Sequence, residues 1–94
     1  MLRNVVMVKL KPEHDPVWAA EMRAKFAALD CPGTVSYTIG PDAGLREGNW
    51  TYAIVADFTD VAAYQGYDQD AEHNRLRAEL APMVEQISRV QFEI

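Results

Sequence analysis

The chain has 94 residues, a net charge of −5 and an apolar content of 49%. That is the length of one domain and too apolar for disorder, but folding at this size hides only roughly 60–70% of the unfolded surface, so association would help it. No cluster of lysine or arginine is present beyond Lys9 and Lys11, which argues against nucleic acid and anionic membranes as partners.

Residues 2–10, "LRNVVMVKL", read as a strand. Leu2, Asn4, Val6, Val8 and Leu10 share one face, while Val5 and Met7 sit at the centre of the other. A sheet with one wet face rarely places such residues there, so something apolar is expected to cover the second face. The N-terminal run is too short for a secretory leader, and no apolar run approaches the roughly 18 residues of a membrane span. Asp15 and Pro16 form a helix start, a cap followed by a residue whose missing N–H costs nothing there. Trp18, Met22, Phe26 and Leu29 follow at helical spacing, and Cys31-Pro32-Gly33 stops the helix. Cys31 is the single cysteine, which excludes an internal disulfide and fits a reducing, cytoplasmic setting. It reads as a small buried hydrophobe.

A second strand is expected over 34–39, with Val35, Tyr37 and Ile39 on one face. A long turn, "GPDAGLREGN", leads to a third strand, "WTYAIVADF", with Trp50, Tyr52, Ile54, Ala56 and Phe58 on one face. Thr59-Asp60 caps a short helix over 61–67. Asp70 caps another over 71–81, whose apolar side is His73, Leu76 and Leu80. A last strand, 87–94, carries Val90, Phe92 and Ile94 on one face against Arg89, Gln91 and Glu93. With no repeat or linker, residues 1–94 read as a single domain. The order β-α-β-β-α-β is the ferredoxin-like α+β plan: a four-stranded antiparallel sheet with helices on one face. The bare face with Val5 and Met7 then calls for a second copy, giving a symmetric homodimer through the open sheet face.

The chemistry-bearing residues are few. Tyr67 and His73 flank the acid- and amide-rich turn "DQDAE", and Asn4 is a polar group on an apolar wall that wants a partner. His14 stands between Glu13 and Asp15, but two histidines far apart in sequence give no metal-ligand spacing. Asp68, Asp70 and Glu72 read as caps and solvated surface. "GPDAGLREG" lacks the end of a phosphate loop, and no residue set indicates flavin or haem, so no cofactor is expected.

The segments "LRNVVMVKLKPE", "PGTVSYTIGPD", "WTYAIVADFTDVAAYQGY" and "EHNRL" resemble, in order and over nearly the whole chain, the stress-responsive A/B-barrel (Dabb) family of dimeric α/β barrels. The resemblance implies the same fold and dimer. Some plant members cyclise a linear polyketide by aldol condensation, with a Tyr and a His spaced as Tyr67 and His73 are here in acid–base roles. A family His of the first strand falls on Asn4, another of the third strand falls on Tyr52, and the common "HPAH" tetrad reads Asp70-Ala71-Glu72-His73. On this likeness Tyr67 and His73 are the candidate catalytic pair, and Asn4, Val6, Phe26 and Tyr52 the candidate walls of a pocket for a small aromatic or polyketide-like molecule.

Such a reaction needs a base near neutral pH and a donor for the oxyanion. Imidazole suits the first task. The first turn of a helix disfavours the imidazolium, and a tyrosine hydroxyl suits the second task. Two other readings stay open: a non-catalytic dimer whose barrel is simply a packed core, and, by analogy of fold, a cofactor-independent monooxygenase. A cavity of roughly 300 Å3 or more beside His73 would favour binding, whereas filling of that space by Trp18, Phe26, Trp50, Tyr52 and Phe58 would leave no pocket and count against an enzyme.

Overall fold

The computed structural model describes residues 1–94. β1 (Leu2–Leu10) leads to α1 (Pro16–Ala27), β2 (Thr34–Pro41), β3 (Tyr52–Phe58), α2 (Val61–Gln69), α3 (Ala71–Leu80), a single 3-10 turn (Ala81–Met83) and β4 (Val84–Glu93). The strands form one antiparallel sheet in the order β2-β3-β1-β4. This is the ferredoxin-like α+β fold.

The helix starts are where the caps place them. Asp15 accepts from the Val17 N–H at 2.9 Å, Asp60 from Ala63 at 2.8 Å and Asp70 from His73 at 2.9 Å. Some boundaries move. α1 closes at Ala27, before Leu29, and it buries Ala19, Met22 and Phe26, with Trp18 only half-buried. α2 runs on to Gln69, β3 begins at Tyr52 rather than Trp50, and β4 begins at Val84.

Directly paired residues share a face. β1 therefore sorts the sheet. Asn4, Val6 and Val8 lie beside Ala56, Ile54 and Tyr52 of β3, under the helices. On β4 the same three residues meet Gln91, Arg89 and Ile87. The polar alternation of β4 thus points to the helix side, and its apolar residues Val90 and Phe92 point to the bare side with Val5 and Met7. Val35 leaves the predicted face because the β2–β3 register shifts between Thr34 and Ser36, so it is exposed instead of sharing the wall with Tyr37. The core comprises β1 and β3 residues, Met22 and Phe26 of α1, Tyr67 of α2 and Leu76 and Leu80 of α3, with Cys31 inside it. No helix is long and apolar enough to cross a membrane.

Gly33 links α1 to β2 with a φ of 84°, and a Cβ there would lie 2.5 Å from the Ala63 Cβ and 3.0 Å from Thr59 Oγ1. Its carbonyl also accepts from the Thr59 N–H at 2.9 Å. Gly33→Ala combines a left-handed backbone with a clash against α2, so it should cost about 2–4 kcal/mol of stability in a urea titration. A loss under about 0.5 kcal/mol would mean that α2 is not held against this turn.

Candidate functional site

Asn4, Val6, Phe26, Tyr52, Tyr67 and His73 all line one cavity between the helices and the sheet. β1 supplies Asn4 and Val6, β3 supplies Tyr52, and α1, α2 and α3 supply Phe26, Tyr67 and His73. All six are buried. The cavity has a volume of only about 50 Å3. That is far below the 300 Å3 expected of a binding pocket, because Tyr64, Tyr67, Tyr52 and Phe26 fill the space. It is room for a few water molecules or the end of a small organic group. A larger hollow of about 620 Å3 lies by Met7, Gly40, Trp50 and Ala53 under the β2–β3 turn. It is an open groove on the bare side of the sheet and contains neither Tyr67 nor His73, although Tyr52 lines it as well.

The turn at Asp68–Asp70 folds Tyr67 and His73 onto one another. Their rings stack with centroids 3.9 Å apart at 27°, and Phe26 meets the His73 ring edge-on at 5.9 Å. His73 Nδ1 lies 2.7 Å from the Tyr67 carbonyl oxygen. A carbonyl can only accept, so Nδ1 carries the proton and the neutral ring keeps its lone pair on Nε2. Burial pulls the His73 pKa below the ordinary imidazole value, against the raising effect of that carbonyl, and the Arg77 charge lowers it further.

The Tyr67 hydroxyl is not free, as a lone oxyanion donor would be. It lies 2.8 Å from the Tyr37 hydroxyl, and burial raises the pKa of both. One proton is used between the two oxygens, which leaves the pair one O–H to donate elsewhere. Asn4 pairs through Oδ1, which accepts from Gln91 Nε2 at 2.7 Å. Tyr52 Oη, Asn4 Nδ2 and His73 Nε2 have no protein partner, yet no buried polar side-chain atom is left both sealed and unpaired. These three atoms therefore retain contact with accessible space at the cavity. Burial pushes the Tyr52 hydroxyl up to about 12, so it stays a donor at neutral pH.

The sequence reading missed Tyr37, Tyr64, Arg77 and Arg89 as lining or supporting residues. Only Tyr37 had a signal, its place on the inward face of β2. Arg77 is held by Asp68 at 2.7 Å. His14 instead binds the Lys11 carbonyl through Nδ1 at 2.7 Å, and Glu72 pairs with Arg75.

The family profile for the stress responsive A/B barrel domain matches residues 2–94. The chain belongs to this family. A dimeric ferredoxin-like protein of unknown function from Thermobifida fusca is 26% identical, with a TM-score of 0.88 over 99% of this chain and 90% of that one. A dimeric ferredoxin-like protein of unknown function from Jannaschia is 24% identical, with a TM-score of 0.83 over 99% of this chain and 98% of its own. A hydroxynitrile lyase from Passiflora edulis is 20% identical, with a TM-score of 0.85 over 99% and 92%. No curated protein sequence matches the chain.

The lowered His73 pKa has a consequence for this domain's stability. The unfolded chain takes up a proton near pH 6.5 that the folded chain resists, so stability is full above that pH and falls as pH drops towards the lower folded value. His73→Asn removes this titration. The difference in melting temperature between wild type and His73→Asn should shrink as pH falls from 7.5 to 5. A difference independent of pH would show that His73 is no harder to protonate folded than unfolded.

Proposed function

We propose that this A/B-barrel chain works as a symmetric homodimer that performs cofactor-free acid–base chemistry on a small carbonyl compound. The observation that carries the chemistry is the His73 ring, with Nδ1 tied to a carbonyl, its pKa lowered by burial, and Nε2 unpartnered in a cavity that Tyr52 and Asn4 also line. In this reading Nε2 removes a proton from the carbon beside a substrate carbonyl. The electron pair moves onto the carbonyl oxygen as an enolate, and Asn4 Nδ2, Tyr52 Oη or the spare proton of the Tyr37–Tyr67 pair donates to that oxygen. If the enolate carbon adds to a second carbonyl within the substrate, a carbon–carbon bond closes a ring. The imidazolium returns its proton to the new alkoxide, so the enzyme ends as it began. Proton removal, addition and return need no electron acceptor. A lysis step on a small substrate, as the name of the Passiflora neighbour implies for that protein, would use the same groups. The 50 Å3 volume shortens the expected substrate. Only a small end is enclosed, and the rest must lie in the opening between α3 and β4.

The dimer rests on the bare side of the sheet. Met7, Val55, Val90 and Phe92 are exposed there, with Val5 half-buried among them, and both dimeric neighbours share this fold. Such a contiguous apolar surface is the mark of an interface. A single cysteine fits a reducing compartment such as the cytoplasm for this dimer.

Two measurements test the reading. In sedimentation, the wild type should run at twice the 10.6 kDa chain mass and Val90→Glu should run as a monomer with its circular dichroism retained. A wild-type monomer at micromolar concentration would refute the dimer. In a thermal-shift screen of small ketones, phenols and aromatic acids, a ligand at a hundredfold over its dissociation constant should add about 2.7 kcal/mol of stability. The shift should be lost in His73→Asn and weakened in Asn4→Leu. Hits unaffected by both variants would place binding elsewhere and remove the support for His73 as base.

A further inference from the structure

The proposed acid–base cavity has an opening whose charge is opposite to that of the chain. The protein carries 14 acids against 9 bases, yet the cavity is lined by two arginines, Arg77 and Arg89, and by no acid. The two arginines are not equivalent. Arg77 is engaged: it contacts Asp68 Oδ1 at 2.7 Å, donates to the Asp68 carbonyl at 3.1 Å and reaches Asn74 Oδ1 at 3.1 Å. Arg89 is in none of the molecule's ion pairs and makes no side-chain hydrogen bond. It is exposed on the helix side of β4 opposite Val6, a buried wall residue of the cavity. Its neighbours on that face are Ile87 and Gln91, and the Gln91 amide is already spent on Asn4. Arg89 thus lines the cavity with no counter-charge from its own chain.

We infer that Arg89 is a ligand-reading residue at this cavity, one that selects substrates with an apolar or carbonyl-bearing end and a single oxyanion head. This inference rests on the cavity reading above and names its substrate class. A planar guanidinium takes a carboxylate or a phosphate in a bidentate pair, whereas a neutral amide of the same shape offers only one acceptor oxygen and places N–H groups against the cation. The distance along β1 is short, since Asn4 and Val6 are two residues apart on one face. An acid held at Arg89 therefore directs its remaining atoms inwards towards Asn4 and His73. The neutral His73 and the protonated Tyr52 add no repelling negative charge inside.

The test is a calorimetric titration of the whole chain with phenylacetate, phenylacetamide and phenyl phosphate, on wild type, Arg89→Gln and His73→Asn. Phenylacetate should bind wild type about tenfold or more tighter than phenylacetamide, the gain expected of a charge-assisted pair. Arg89→Gln should abolish that preference and leave phenylacetamide unchanged, and raised salt should narrow it in wild type. Whether phenyl phosphate exceeds phenylacetate separates a phosphate-bearing natural ligand from a carboxylic acid. Equal binding of acid and amide to wild type, or a preference that survives Arg89→Gln, overturns the role of Arg89 while the cavity stands, provided His73→Asn weakens both ligands. Absence of binding by all three overturns the anion reading together with the cavity reading.

Discussion

β1 lies between β3 and β4, and its strict alternation governs what happens on both sides of the sheet. Asn4, Val6 and Val8 must face the helices because Ala56, Ile54 and Tyr52 beside them do. The opposite residues, Val5 and Met7, must then face away with Val55 and Val90. A one-residue slip would exchange the two sets, so the register is fixed by burial of the first. The helices cover β1, β2 and β3 and make little contact with β4. The inward face of β4 is consequently wet, and its side chains are Ile87, Arg89 and Gln91 instead of core residues. The opening of the cavity and the apolar outer stripe are thus two results of the same arrangement.

The Tyr67–His73 pair shows how little sequence distance says about geometry. A helix break at Asp70 lets α2 and α3 meet at an angle. The Asp70 side chain caps α3 on the His73 N–H, while the His73 ring turns back to the Tyr67 carbonyl. That carbonyl belongs to the last turn of α2 and already accepts from the Asp70 N–H at 3.2 Å. The imidazole is the second donor to the same oxygen and is held in one tautomer by that bond. Stacking on Tyr67 and the edge contact with Phe26 fix the ring plane and exclude water from one side. Desolvation then lowers the pKa, which leaves a neutral ring with its lone pair on Nε2. The structural role and the proposed chemical role fall on one residue, so loss of stability on mutation would not argue against a role in chemistry.

Much of the fold was legible because its signals are local. Asp15, Asp60 and Asp70 cap where they stand, Pro16 and Gly33 bound α1, and period-two alternation marks β1 and β3. The polarity of β4 was legible as alternation, but not which side faced the helices. That is set by pairing Gln91 with Asn4, 87 residues earlier in the chain. The six wall residues were named mostly through resemblance, and the structure gathers them around one cavity. Its small volume was not legible, since it depends on how four aromatic rings pack. Tyr37 escaped notice because its hydroxyl acquires meaning only through Tyr67, 30 residues away and on another element. Arg89 escaped for a related reason: a charged residue on an edge strand looks like ordinary solubilising surface until the helices are seen not to cover it.

The sheet also separates two demands that would conflict on one surface. A dimer interface needs broad, flat, apolar contact, whereas proton transfer needs a small desolvated space with a few unpaired polar atoms. Here Val5, Met7, Val90 and Phe92 lie on the side proposed for the dimer, while Asn4 and Tyr52, on the other side of the sheet, line the proposed acid–base cavity together with His73 of α3. The ion pair of Arg3 and Asp57, with its two contacts of 2.7 and 2.9 Å, lies at one end of the apolar stripe. Arg3 faces Asp57 across β1 and β3, so this pair sits on the bare side, and Asp57 is kept ionised by its partner. Burying an ion pair is tolerable only when both members stay bonded, and this pair is already complete within one chain. A second copy can thus close over the stripe without stranding a charge. The free cation of Arg89, which no chain contact satisfies, is left on the side where a ligand can reach it.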